Sequence, residues 1–261
     1  MRVPLAYRVA IGCYFVTRIA LRALFLGSRE KRNGFLNKHK IRPSSFFLGT
    51  NLITRGGITA YARRNSDDFE LLFFPREPAI QKYFNAIRDG EVFVDVGSNV
   101  GYYALKVKGA NPNSRVIAIE AHPETYRALL RNVNANRFDI VCVNKAVYKS
   151  KGDISFYEHG GWSGIGSIYK KSEKTLTVEA DTLDSILSNQ GVHADIIKID
   201  IEGAELDALQ GAFESLKNAR MVIIEIHNDN LIPASQTLEK IGYNITVENN
   251  GEYIIGIKKT G

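Results

Sequence analysis

The chain has 261 residues, 44 % of them hydrophobic, which is enough for one sizeable core and an appended segment. Its two cysteines, Cys13 and Cys142, lie far apart, which excludes a disulfide framework and fits a reducing compartment. The formal net charge is +6, but residues 1–44 hold ten basic residues against one acid, so the remainder is mildly acidic. This distribution weakens the case for a nucleic-acid-binding protein, whose basic surface would cover the main domain.

The first predicted element is a basic amphipathic helix within residues 3–26. Arg8, Arg18 and Arg22 fall within an arc of about 80° on a helical wheel, and apolar side chains occupy the rest. The longest uncharged run, 9–17, is shorter than the roughly 20 residues that a spanning helix needs. The pattern fits a helix at an anionic membrane interface or a helix packed on the next domain. A secretory signal is the third alternative, although no small-residue cleavage site follows.

Residues 45–90 are predicted to lead into the main domain. Apolar residues alternate over 58–62 and again over 69–73, with a polar turn between, which predicts a β-hairpin. The apolar spacing over 78–88, followed by Gly90, predicts a helix.

The stretch 92–101 predicts a nucleotide-binding turn. An apolar strand ends in Asp95, and two glycines then bracket a short polar turn before a helix. Open α/β sheets bind nucleotides with this arrangement, because Gly97 permits a sharp turn and free helix N–H groups face the ligand. The dinucleotide fingerprint needs glycines where Asn99 and Tyr102 stand, so the pattern favours an S-adenosylmethionine site over an NAD site. An ordinary tight turn is the alternative.

The next strand, 115–120, ends in a second acid, Glu120. It lies nineteen residues past the turn, where a carboxylate can accept both hydroxyls of a ribose, so it indicates a nucleoside ligand. His122 either lines the adenosine or neighbours the cap of the following helix. A third strand over 140–147 would place Ala146 beside the adenine.

Between residues 152 and 187 the alternation of strands and helices breaks. The segments 153–157 and 175–179 predict a strand pair, joined by a glycine-rich loop over 159–167 that holds Trp162. We interpret this loop as a lid that faces the substrate, with a plain long hairpin loop as the alternative.

A second set of charged residues lies at the ends of two later strands. Lys198, Asp200 and Glu202 alternate along one strand and so share a face, and Glu225 and His227 share a face of the next. Burying such charges costs free energy unless they are paired with opposite charges or serve a function. Adjacent strand ends bring these side chains to one crevice. They can take a proton from a hydroxyl. They can also hold a divalent cation or form a purely structural network, but they match no compelling metal motif, so we favour metal-free chemistry.

The last segment closes the sheet. A helix over 233–241, a strand over 245–247 and a returning strand over 253–257 predict an antiparallel pair at the end of an otherwise parallel sheet. The main domain is therefore predicted to span 91–261, after the basic segment and linker at 1–44.

Five motifs follow one another within residues 75–230: Phe93-Val-Asp-Val-Gly-Ser-Asn-Val-Gly101, Glu120, Asp181-Thr-Leu-Asp184, Lys198-Ile-Asp-Ile-Glu-Gly-Ala-Glu205 and Glu225-Ile-His227. This ordered set resembles the FkbM family of S-adenosylmethionine-dependent methyltransferases and is more specific than any one motif. The resemblance implies a Rossmann-like class I methyltransferase fold of the α/β class, with a mostly parallel seven-stranded sheet closed by the antiparallel C-terminal hairpin. It departs from the family at Ala121, where a proline more often follows the acid.

The resemblance also implies S-adenosyl-L-methionine as cofactor and a methyl transfer, usually to a hydroxyl of a sugar, glycolipid or polyketide. The candidate cofactor-binding residues are Asp95, Gly97, Ser98, Asn99, Gly101, Glu120, His122 and Ala146. The candidate catalytic residues are Lys198, Asp200, Glu202 and His227, and no metal ligand is assigned.

These observations favour an O-methyltransferase that acts on a glycan or lipid-linked acceptor at the cytoplasmic face of the membrane. An RNA methyltransferase that grips RNA with the basic N-terminus is one rival. A non-catalytic adaptor with the same fold is another, although intact Asp95 and Glu120 argue against it. The acceptor and the oligomeric state have no readable signal in the sequence.

Overall fold

The computed structural model describes residues 51–53, 57–63, 66, 68–73, 77–158, 166–167 and 174–259. The predicted N-terminal helix within 3–26 and most of the glycine-rich loop at 159–167 lie outside the described residues. The chain divides into two units between Phe74 and Pro75. The division falls inside the predicted lead-in, so the segment 78–88 belongs to the second unit.

The described residues of the first unit form two short strands and a helix. Strand β1 (Asn51–Ile53) pairs antiparallel with β2 (Thr59–Tyr61), and helix α1 (Asp68–Phe73) follows. The predicted hairpin between 58–62 and 69–73 is therefore wrong, because β2 pairs with β1 and the second segment is helical.

Local side-chain hydrogen bonds explain the helix. The buried carboxylate of Asp68 accepts hydrogen bonds from the backbone N–H of Arg63 at 2.9 Å and from its guanidinium at 2.8 Å. The hydroxyl of Ser66 accepts the Asp68 N–H at 3.2 Å. Bonds of this kind turn the chain and start a helix, which the leucines that follow readily extend.

In its described residues, the second unit has eleven strands: β3 (Val92–Val96), β4 (Arg115–Ile119), β5 (Ile140–Val143), β6 (Ala146–Val147), β7 (Gly152–Glu158), β8 (Gly166–Ser167), β9 (Lys174–Asp181), β10 (Ile196–Ile199), β11 (Met221–Glu225), β12 (Tyr243–Glu248) and β13 (Tyr253–Lys258). Seven of them form one sheet in the order β12-β13-β11-β10-β3-β4-β5. The pairs from β11 to β5 are parallel, whereas β13 runs antiparallel to both of its neighbours. The predicted Rossmann-like sheet with an antiparallel C-terminal hairpin is thus confirmed.

The helices of this unit are α2 (Gln81–Phe84), α3 (Tyr102–Ala110), α4 (Pro123–Asn136), α5 (Leu183–Asn189), α6 (Glu205–Gln210), α7 (Phe213–Asn218) and α8 (Leu231–Ile241). The helix predicted over 78–88 is reduced to the four residues of α2. The apolar residues that carried this prediction still serve the core, since Ile80, Phe84 and Ile87 are buried.

The other four strands of this unit form a smaller sheet in the order β6-β9-β7-β8. The strand predicted over 140–147 is divided, because β5 joins the large sheet and β6 pairs with β9 in the small one. Asn144 causes the break: its amide donates to the carbonyl oxygens of Glu120 at 2.8 Å and Ala121 at 3.0 Å. The predicted strand pair over 153–157 and 175–179 is confirmed as the antiparallel β7–β9 pair.

The central strands of the large sheet are buried on both faces, which explains their unbroken apolar sequences. Val94, Ile117 and Ile197 are fully buried, and each such side chain contributes about 1.5–3 kcal/mol by leaving water. Parallel strands end at the same edge of a sheet, so this core fixes the place where their C-terminal residues meet. Among the described residues, no helix is long and apolar enough to cross a membrane.

Tyr243 provides a test of how the C-terminal hairpin is attached. Its fully buried hydroxyl donates to the carbonyl oxygens of Leu216 at 2.6 Å and Ala219 at 2.7 Å, where α7 ends. Tyr243→Phe keeps the ring but leaves buried carbonyl groups without this donor, so we expect the free energy of unfolding to fall by about 1–2 kcal/mol. Urea denaturation measures it, with the half-buried Tyr157→Phe as a control expected to change stability by less than about 0.5 kcal/mol. Equal stability of the two variants would contradict this account.

Candidate active site

Lys198 joins two acidic strand ends. In the register of β10 on β3 it stands opposite Asp95, and its Nζ lies 3.6 Å from Asp95 Oδ1 and 3.2 Å from Asp200 Oδ2. The same Nζ lies 5.2 Å from the ring centroid of Tyr103. Burial acts to lower the pKa of Lys198, but the charges of Asp200 and Asp95 outweigh burial and raise it. Lys198 therefore keeps its positive charge and does not act as a proton acceptor.

Asp95 is almost fully buried, with 1 % of the residue exposed. In the described part of the chain, neither carboxylate oxygen has a hydrogen-bond partner. Burial raises the pKa of Asp95, and the charge of Lys198 partly offsets this effect. A buried carboxylate without hydrogen-bond donors is costly, and the ammonium of Lys198 at 3.6 Å offsets part of that cost.

The glycine turn after β3 packs directly against the end of β10. Gly97 has φ +77°, and a Cβ at this position would lie 1.8 Å from the backbone oxygen of Asp200. The N–H groups of Gly97 and Ser98 both donate to the carbonyl oxygen of Ile119 at 2.9 Å, and the Ser98 hydroxyl donates to the Asp95 carbonyl at 2.7 Å. Only glycine fits at position 97, because the turn is fixed against two neighbouring strands.

Asn99 and Glu120 lie on the next part of the turn. Asn99 is left-handed, with φ 51°, and its N–H donates to Glu120 Oε2 at 2.9 Å. Glu120 Oε1 accepts the N–H of His122 at 2.9 Å, so backbone groups orient the whole carboxylate. The buried Oδ1 of Asn99 has no hydrogen-bond partner among the described residues.

His122 and Ala146 lie farther along the same edge. His122 caps α4, because its Nδ1 accepts the N–H of Thr125 at 3.4 Å, and its ring centroid lies 6.0 Å from that of Phe156. Ala146 belongs to a small apolar cluster with Phe156. The roles of His122 and Ala146 at the adenine stay predictions. Gly101 begins α3 with φ 94°.

His227 lies at the centre of a group of carboxylates. Its Nδ1 is 2.8 Å from Glu205 Oε1, and its Nε2 is 3.6 Å from Glu202 Oε2 and 3.9 Å from Glu225 Oε1. Burial acts to lower the pKa of His227, but the hydrogen bond with Glu205 and the charge of Glu202 outweigh it and raise the pKa to about 9. Burial, with the charge of Asp200, raises the pKa of Glu225 to about 8.

Asp200, Glu202 and His227 each place one ligand atom within 4.8 Å of the others, and Lys198 lies 3.2 Å from Asp200, so the structure brings all four predicted catalytic residues together. This spacing suits the passage of a proton among them. The metal-free interpretation stays a prediction, since the same spacing also suits a divalent cation.

Sequence reasoning assigned no role to Glu205. The alternation argument follows a straight strand and ends at Gly203, whereas left-handed backbone at Glu202 (φ 55°) and Gly203 (φ 107°) turns the chain back. That turn places Glu205, a fully buried acid, behind His227. The only signal in the sequence is an acid at the first position of a short helix, and this signal can be interpreted only once the structure is known.

Comparison with known proteins is consistent with this geometry. The family model described as methyltransferase FkbM domain matches residues 95–245, more than half of the chain. The hexuronic acid methyltransferase AglP of Haloferax volcanii is 28 % identical over 152 residues, which are 58 % of this chain and 62 % of AglP. The 2-O-methyltransferase NoeI of Sinorhizobium fredii is 25 % identical over 169 residues, 58 % of this chain and 69 % of NoeI. The match thus spans less than two thirds of AglP.

Two solved structures are reported for their partial likeness to this chain. The precorrin-6y C5,15-methyltransferase of Geobacter metallireducens has a TM-score of 0.45 and 14 % identity, covering 69 % of this chain and 86 % of that one. The fibrillarin of Aeropyrum pernix with bound S-adenosyl-L-methionine has a TM-score of 0.43 and 12 % identity, covering 65 % and 66 %.

The sheet order and the glycine turn define a Rossmann-like methyltransferase fold, and the family match agrees with it. Within that class, the chain belongs to the FkbM methyltransferase family.

The two glycines of the turn differ in what surrounds them. Gly97→Ala places a methyl group on the backbone oxygen of Asp200, which has no room to move, whereas Gly101→Ala meets the flexible Cδ1 of Leu129 at 2.7 Å. We expect Gly97→Ala to prevent folding or to lower the free energy of unfolding by more than about 4 kcal/mol. Gly101→Ala should cost about 1–2 kcal/mol, mostly for its left-handed backbone. Chemical denaturation compares them, and similar costs would show that the turn is not fixed against β10.

Proposed function

We propose that this enzyme transfers a methyl group from S-adenosyl-L-methionine to a hydroxyl of a sugar, glycolipid or related acceptor. The observation that carries the proposal is the convergence of Asp200, Glu202 and His227 beside the glycine turn. The names of AglP and NoeI support a sugar acceptor, since one is a hexuronic acid methyltransferase and the other a 2-O-methyltransferase.

The residues of the turn fit the cofactor. The buried oxygens of Asp95 and Asn99 that have no hydrogen-bond partner in the described structure are suited to the polar groups of such a ligand. Glu120 would accept the ribose hydroxyls, and the close packing at Gly97 would let the backbone approach the ligand. When bound, the cofactor supplies an activated methyl group, and the protein supplies position and charge.

Glu202 is the residue that we propose takes the proton of the acceptor hydroxyl. Lys198 is a cation, and His227, with a pKa of about 9, is protonated at neutral pH. Asp200 is held by Lys198 at 3.2 Å. Glu202 is the most exposed carboxylate of the group, with 42 % of its side chain exposed, so it is the one that an incoming acceptor meets.

The membrane and nucleic-acid hypotheses both rest on residues 1–44, which lie outside the described part of the chain. We propose that this segment brings the enzyme to the inner face of a membrane that carries its acceptor. An RNA acceptor would instead make binding fall steeply with salt concentration.

Asn99 tests the cofactor site. Asn99→Gly removes the buried Oδ1 but keeps a residue that tolerates the left-handed backbone. Isothermal titration with S-adenosylhomocysteine should show affinity reduced by about tenfold or more. The control is Asn250→Gly, a left-handed asparagine exposed in the C-terminal turn, which should bind as the unmodified protein does. Unchanged affinity in Asn99→Gly would remove this residue from the site.

Glu202 tests the catalytic assignment. Glu202→Gln keeps the size of the side chain and should bind S-adenosylhomocysteine normally, while kcat falls by about 100-fold or more because the proton acceptor is lost. Methyl transfer from labelled cofactor to a panel of hexoses, uronic acids and lipid-linked sugars measures turnover. Glu214→Gln, exposed on α7, is the matched control.

Two outcomes of this assay contradict parts of the proposal. Full turnover in Glu202→Gln would exclude Glu202 as the base. Turnover that is lost in EDTA and restored by Mg²⁺ would favour the cation alternative for the same three residues.

A further inference from the structure

Glu205 holds one side of the His227 ring. The Glu205 side chain is fully buried at the first position of α6, and its Oε1 lies 2.8 Å from His227 Nδ1. The same oxygen accepts the N–H of Gly203 at 2.8 Å, and Oε2 accepts the amide of Asn230 at 2.7 Å. Three groups, one from the turn before α6 and two from the segment 227–230, therefore lie within hydrogen-bond distance of one carboxyl group.

This arrangement determines which ring nitrogen keeps its proton when the imidazolium of His227 becomes neutral. An ionised carboxyl group only accepts hydrogen bonds, so Nδ1 of His227 must be the donor to Glu205. The other nitrogen, Nε2, then points away from the core toward Glu202 at 3.6 Å and Glu225 at 3.9 Å. A ring held at Nδ1 cannot exchange its two nitrogens by rotation without breaking a buried hydrogen bond.

We propose that Glu205 is a positioning residue of this enzyme, which fixes the Nδ1–H form of His227 and directs Nε2 toward the acceptor side of the site. The inference rests on the proposed function, because it assigns a task to His227 in that reaction. With Nε2 so directed, His227 can face the oxygen from which Glu202 takes the proton and offset the negative charge that develops there.

The electrostatic surroundings of His227 agree with this role. Glu205 faces the ring from α6, Glu202 and Asp200 from the loop after β10, and Glu225 from β11. Nearby acids on several sides of the ring favour the charged imidazolium that such a role needs.

The tautomer is measurable without any acceptor. In the unmodified protein, ¹⁵N imidazole spectra recorded above the His227 pKa of about 9 should show the neutral ring protonated at Nδ1. Comparison with His227→Gln assigns the signal among the five histidines of the chain. A ring protonated at Nε2, or one that averages between both forms, would overturn the proposal.

A pair of variants on one helix separates positioning from mere stability. Glu205→Gln should lose the Nδ1–H signature and lower kcat by about tenfold or more, while KM and S-adenosylhomocysteine binding change by less than about threefold. The control is Asp207→Asn, a buried acid on α6 that instead pairs with Lys149 at 2.9 Å, and it should keep both the signature and the activity. An unchanged signature in Glu205→Gln, or an equal loss in Asp207→Asn, would overturn the proposal.

The proposal can still be tested if either of two experiments fails. If Glu205→Gln does not fold, the spectrum of the unmodified protein still decides the tautomer. If no sugar is methylated, the proposed function fails, but the spectra still report whether Glu205 orients His227.

Discussion

The buried ammonium group of Lys198 is the interaction on which the site depends. It lies between the carboxylates of Asp95 and Asp200, which belong to two neighbouring strands of a parallel sheet. Without a cation between them, two acids at this depth would repel each other and lack solvation, at a cost of several kcal/mol. The position of Lys198 follows from the register of β10 on β3, so the core that sets the register also sets the electrostatics of the site.

The site carries more negative than positive charge, and this surplus bears on the ligand. Two cations, Lys198 and His227, stand among the carboxylates of Asp200, Glu202 and Glu205, while burial raises the pKa values of Asp95 and Glu225. A dinucleotide would bring further negative phosphates to this edge, whereas the sulfonium of S-adenosylmethionine is positive. The charge pattern and the missing fingerprint glycines thus favour the same cofactor for independent reasons.

Close backbone packing provides the second constraint. A Cβ at Gly97 would lie 1.8 Å from the backbone oxygen of Asp200, so the glycine turn and the end of β10 are packed as one unit. A shift of either element therefore moves the other, and in the proposed function this would couple cofactor binding to the position of the acidic group.

Much of the fold was predictable because its signals are local. Apolar runs that end in acids marked β3, β4 and β10, and the spacing of glycines marked the turn. The errors arose where side chains competed with these patterns. Asp68 turned a predicted strand into α1, and Asn144 divided a predicted strand between two sheets. Both are side-chain to backbone hydrogen bonds, which periodicity does not report.

The amino-acid sequence alone was sufficient to identify the family and the residues of the turn, since each motif is contiguous and its chemistry is local. The folded structure was needed to derive three further properties: the protonation of His227, the positive charge of Lys198 and the role of Glu205. Glu205 and His227 are 22 residues apart in sequence, and their hydrogen bond exists because a left-handed turn brings α6 behind β11. A pKa depends on burial and on distances between charges, and both are properties of the three-dimensional packing rather than of residue order.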